Sequence, residues 1–234
     1  QNEDFEKIGT RFHSWLRENL TKVGLVENDI DTFNKFINKD FKFYLRSYLI
    51  IMEASITLQK DTEHIYYIDD WGIATSLSYP LLLAPLNIDD TDEIIKMKMN
   101  LVAKYIETFV VRRSINYKKF ASSSIRYTMY TLVKEIRGKT IDELRSILTF
   151  KLESMPETWD KMNKFGMHGQ NKRFVKFLLS RMWSYIDKHA GINTNYDSYF
   201  RPEGKQFEIE HIWANKYERH KKEFDQKVDF EVFR

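Results

Sequence analysis

Cysteine is absent from the 234 residues, which excludes a disulfide scaffold and any thiolate zinc site. Glycine (8) and proline (4) are scarce, too few for the frequent turns of an all-β sandwich or barrel. The same scarcity leaves little room for a glycine-rich nucleotide-binding loop. No apolar run approaches the roughly 20 residues that span a bilayer, and no cleavable signal pattern is visible. A cytoplasmic location without membrane contact is therefore the expectation. What is abundant is apolar and aromatic material, 42% and 15% of the chain, sufficient for a substantial core.

The charges come in blocks. From Lys60 to Glu93 acids dominate, whereas Arg112 to Lys139 and Lys161 to Lys188 are almost purely basic, within a net charge of only +3. Basic blocks can present a face to phosphate, because each neutralised phosphate releases condensed counterions. Solvated helix faces would show the same blocks, so charge alone leaves both readings open.

Apolar spacing predicts helices over most of the chain. Phe5 to Leu20 carries a helical stripe that Gly24 ends, and a second run starts near Asp29 and continues, with a break, to Leu58. Trp71-Gly72 interrupts the next segment, and Pro80 cuts the apolar run from Ser76 to Leu83. Asp90 or Thr91 caps a long helix whose first turn holds Asp92 and Glu93 and which ends near Arg112-Arg113. Ser122 to Ile136 is closed by Gly138. Thr140 and Glu143 form a capping box for a helix reaching about Glu153. After a polar loop from Met155 to Gln170, a last long helix from Asn171 to Lys188 stops at Gly191. Its apolar stripe includes Phe174, Phe177, Trp183 and Tyr185, which points Trp183 and Tyr185 inward. The domains expected are a helical body over 1–191, with a subdivision near 88 as an option, and a different segment over 192–234.

That last segment is turn-rich and then alternates with period two over Phe207-Glu208-Ile209-Glu210-His211-Ile212, the clean strand pattern of the chain. Val228 to Phe233 alternates again. With Gln1 at one end and Arg234 inside an alternation at the other, the chain reads as a piece of something longer. Glu210 beside His211 offers a carboxylate for a hard divalent cation and an imidazole able to take a proton near neutral pH. On an ideal strand the two would face opposite sides, so a shared site requires a bend.

The stretch Phe207 to Ile212 resembles the I-E-H-I-x-P signature of the GmrSD-like restriction endonucleases. Tyr105 to Arg113 is similar to that family's helix ending in paired arginines, and Arg173 to Leu179 to the helix before its nuclease strand. The resemblance covers most of residues 80 to 225. It implies a mainly α, multi-helix domain followed by the beginning of a ββα-metal (HNH) nuclease module. It further implies a DNA endonuclease of a restriction or phage-defence system, with His211 as general base and Glu210 as metal ligand. A divalent ion such as Mg²⁺ belongs to the intact protein, and none is expected in this piece. DNA is the implied partner, contacted by Arg112, Arg113, Lys172, Arg173 and Lys176. An upstream nucleotide-hydrolysing domain, absent here, is the other partner, and a homo-oligomer is compatible with the sequence. Trp213-Ala214 departs from the family's Leu-Pro, and the asparagine and closing helix of a complete HNH site are not among these residues, so the piece should be inactive.

Other readings compete. A non-enzymatic all-α module could bind nucleic acid or protein through the same basic helices, and a scaffold would join an upstream motor to the nuclease. Arg112-Arg113 serves equally as a phosphate clamp or as cations closing a helix. His168 reads as a solvated loop residue. His64, with Asp61 and Glu63 nearby, offers metal-type donors whose geometry the sequence does not constrain.

Overall fold

The computed structural model describes residue 8 and residues 10–193, 196–201, 209, 217–219, 221–224 and 226–228. The described chain is mainly helical, as composition and spacing imply, and no strand occurs among the described residues. The strand expected around Glu210-His211 lies outside them. Two compact units are formed, residues 1–165 and 166–234.

In the first unit, α1 (Phe12–Glu18) leads through a 3₁₀ turn (Leu20–Val23) to Gly24, whose φ of 73° is a left-handed conformation that glycine adopts without Cβ strain. The Asp29 side chain then caps α2 (Ile30–Lys35) by accepting from the backbone N–H groups of Asp31 and Thr32. The break expected after it is a π-helical segment, Phe36–Phe41, through which the axis runs on into α3 (Lys42–Ile56). There follow α4 (Glu63–Asp69) and α5 (Thr75–Leu83), separated at Trp71-Gly72. Pro80 does not cut the last of these. The helix runs through it, because Leu77, Leu81 and Leu82 bury completely on one face and outweigh the ladder bond that proline cannot donate.

The centre of the unit is α6 (Asp92–Ile115), capped by Thr91 and extending two residues beyond the arginine pair. Ile95, Met99, Val102, Ala103, Ile106, Val110 and Ile115 are inaccessible to solvent or nearly so. It packs against α4, α5 and α8 (Ile141–Glu153), while α7 (Ser122–Ile136) lies against α5. One core spans these helices from Phe43 to Leu148, so residues on either side of 88 share it and no boundary falls there. The capping box at Thr140 forms as its sequence indicates, and the Glu143 carboxyl is held down to about 2, chiefly by the Thr140 backbone N–H and then by Lys139. Gly138, at φ 63°, donates to the carbonyl of Ala84 at 2.9 Å, and a Cβ there would stand 3.1 Å from Asn87 Oδ1.

In the second unit, α9 (Lys172–Ala190) closes on the left-handed Gly191 and packs against α10 (Tyr196–Phe200), where Phe177 meets Tyr196 and Phe200 edge-on. The last long helix therefore belongs with the C-terminal unit, and the helical body drawn over 1–191 divides at 165. Burial of α9 is confined to Phe174, Phe177, Ser180 and Asp187. Trp183 and Tyr185 are exposed, contrary to the inward placement that the stripe implied. A stripe wide enough to cover most of a helix does not say which part of it meets a neighbour.

Lys98 is one of several charged side chains buried in this unit. It is 2% exposed and donates to the carbonyl of Pro85 (3.0 Å) and to Asp90 Oδ2 (2.7 Å), the same oxygen that accepts from the backbone of Asn87. An ion pair this buried is worth little against an apolar pair, but breaking it strands a charge. Asp90→Ala is expected to lower unfolding free energy by about 3–5 kcal/mol, whereas Asp90→Ala combined with Lys98→Met recovers a large part of the loss. Urea denaturation of the three proteins checks both.

Candidate functional site

The arginine pair stands at the end of α6, where Ile106, Val110 and Ile115 anchor the helix in the core and leave its last turn to meet the segment after α8. Arg112 is buried. Its Nε donates to the carbonyl of Glu157 at 2.7 Å, and its terminal nitrogens reach the carbonyls of Leu152, Met155 and Glu157. Arg113 bonds Glu157 Oε1 at 3.0 Å and the carbonyl of Lys119, with its guanidinium over the Phe109 ring. Asn116 adds a bond to the carbonyl of Thr158. The pair, with Asn116, therefore latches residues 152–158 to α6, bonding the carbonyl of Leu152 in the last turn of α8 and those of Met155 and Glu157 beyond it. Of the two expectations for this pair, the phosphate clamp does not fit Arg112 in this conformation, because its donors are spent inside the protein.

The basic residues of α9 are placed differently. Lys172 and Arg173 are exposed in the first turn, and Lys176, one turn on, is half-buried with its ammonium 5.8 Å from the Phe200 ring. Two cations in a first turn oppose the helix dipole. His168 lies in the loop ahead of this helix, where its backbone N–H donates to Asn171 Oδ1 at 2.7 Å and Asn171 in turn donates to the carbonyl of Gly166. Glu210 and His211 lie outside the described residues, so their distance from these cations has no structural value.

The sequence singles out His64 with Asp61 and Glu63 as metal-type donors, but not the partner that the fold gives this histidine. At the start of α4, the backbone N–H of His64 donates to Asn100 Oδ1 of α6, a cap supplied by a distant helix rather than by the local Thr62. The imidazole then sits against α6 with Nδ1 2.6 Å from Glu107 Oε2, both side chains nearly buried. Held this way, a neutral imidazole carries its proton on Nδ1 and leaves Nε2 as an acceptor, 4.0 Å from Glu63 Oε1. His64 lines a cavity of about 570 Å³, bordered also by Lys60, Lys96, Lys104 and Glu93. The partners are 43 residues apart, so only the packing of α4 on α6 brings them together. Among the described residues, no group of three or more histidine, aspartate or glutamate side chains is placed to hold a metal ion. No helix among them is long and apolar enough to cross a membrane.

Arg112→Met is expected to lower stability by about 3 kcal/mol by leaving buried carbonyls unpaired, with DNA affinity unchanged. Denaturation alongside a DNA-binding titration tests this. Weakened DNA binding at full stability would instead assign the arginine to phosphate.

Comparison of the chain with family models, with curated proteins and with solved structures finds no match.

Proposed function

We propose that this chain contributes the helical body and the first nuclease strand of a metal-dependent DNA endonuclease that acts against foreign DNA. The observation that carries the reading is the run Phe207-Glu208-Ile209-Glu210-His211-Ile212, an acid and a histidine side by side in the alternating pattern that follows the helices. In this reading Glu210 supplies an oxygen ligand to a divalent cation of the Mg²⁺ type. His211 takes the proton of the water that attacks the scissile phosphate. Hydrolysis breaks one P–O ester bond and leaves a phosphate and a hydroxyl. The upstream partner is a nucleotide-hydrolysing domain, as the resemblance to the GmrSD-like family implies.

The role of the helices is positional. Lys172 and Arg173, exposed at the start of α9, suit contacts to the phosphate backbone, which hold a duplex in register without reading its bases. Arg112 has no part in this, since it latches the first unit.

The test uses the protein expressed from its whole reading frame, with supercoiled plasmid and Mg²⁺ or Mn²⁺. Cleavage is expected, abolished by chelation and reduced at least ~100-fold in His211→Ala, as loss of a general base requires. Lys172→Ala with Arg173→Ala is expected to weaken DNA binding and flatten its salt dependence, the log–log slope falling by about 1 for each phosphate that is no longer neutralised. Undiminished cleavage in His211→Ala would overturn the assignment of the base, and binding without any cleavage would favour a non-catalytic nucleic-acid-binding module.

A further inference from the structure

The axis running from α2 through the π-helical segment into α3 turns one face to the core, through Phe43, Ser47, Ile51 and Ala54. The opposite face is apolar along its whole length. Ile30, Phe33, Ile37 and Phe41 are exposed on its first half. On its second half the exposed side chains are Leu45, Leu49, Met52 and Ile56. The face extends over residues 30–56, about 40 Å at ~1.5 Å per helical residue. Taking roughly 150–250 Å² for a large side chain, eight of them left about half exposed uncover on the order of 800 Å². The largest apolar patch on an ordinary monomer is about 300–600 Å², whereas each partner in a standard specific interface contributes about 800 Å².

The spacing says what covers this face. A two-fold contact presents the same surface from both copies, so along an antiparallel helix pair its apolar positions must mirror one another about the axis. Here Ile30 mirrors Ile56, Ile37 mirrors Leu49 and Phe41 mirrors Leu45, all about position 43, and Phe33 and Met52 miss the mirror by one residue. The two end residues are also equally exposed, at 74% and 73%. A partner of different sequence imposes no such symmetry. Of the basic residues beside the centre of the stripe, Lys39 and Arg46 are matched within the chain to Asp89 and Asp92, while Lys42 is exposed next to the axis.

We propose that this face is the interface of an antiparallel homodimer, with the two-fold axis at the level of residue 43. Ile37 of one copy packs on Leu49 of the other, Phe41 on Leu45, and Ile30 caps Ile56 at each end. The inference is independent of the nuclease reading, because it uses only the α2–α3 face.

Sedimentation of the 234-residue chain at micromolar concentrations tests it. A dimer is expected, and Ile37→Glu with Leu49→Glu should raise its dissociation constant at least ~100-fold by placing like charges in the contact. Both positions are exposed in the monomer, so the circular dichroism of the variant should match that of the parent chain. Because the chain lacks cysteine, register can be read directly with a short thiol cross-linker. Ile30→Cys mixed with Ile56→Cys should give covalent dimers, and Ile30→Cys alone should not, its two copies lying about 40 Å apart. A monomer at every concentration, a dimer unaffected by the two glutamates, or self-cross-linking of Ile30→Cys would each overturn the proposal. Capture of this face by another segment or a different protein would appear as the first of these.

Discussion

The burial of one long side of α6 is the constraint on which the first unit depends. Its buried side carries Ile95, Met99, Val102, Ile106 and Val110 at helical spacing with Ala103, Tyr105 and Phe109 beside them, while Glu93, Met97 and Lys104 on the other side face solvent. Any polar group on the buried side then needs a partner of fixed geometry, because the penalty for an unpaired one exceeds what a single apolar contact returns. Three long polar side chains, Lys98, Glu107 and Arg112, are buried on it. Each reaches a different neighbour: Lys98 the turn before the helix, Glu107 the start of α4, and Arg112 the segment after α8. Polar residues on α6 thus set the positions of connections, while its apolar residues supply the cohesion.

The functional features follow the same division. The His64–Glu107 pair exists because α4 is held on α6, and its cavity opens where the acidic and basic side chains at the rim remain solvated. The arginine pair belongs to the framework. Lys172 and Arg173, exposed on α9, lie in the other unit, and the chemistry proposed for Glu210 and His211 depends on them only for positioning.

How much was legible in the sequence differs by the kind of interaction. Caps are local, so Asp29, Thr91 and the Thr140–Glu143 box mark their helices in a few residues. The mainly α character likewise follows from spacing and from the scarcity of glycine and proline. The path through Pro80 was not legible, because the decisive term is the burial of Leu81 and Leu82 on a core that the local sequence does not contain. Nor was the role of Arg112, whose acceptors lie 40 or more residues away. The stripe of α9 suggested burial of Trp183 and Tyr185, yet that helix meets α10 along a narrower line. The reverse holds for α2 and α3, where an apolar stripe of ordinary appearance faces away from the core.

The claim that α6 organises the first unit is open to a direct measurement, amide hydrogen exchange followed segment by segment. The account predicts that amides between residues 95 and 112 exchange last, only through global unfolding, and that those of α1 and α2 exchange through cheaper local openings. Exchange of α6 as fast as that of α1 or α2 would contradict it.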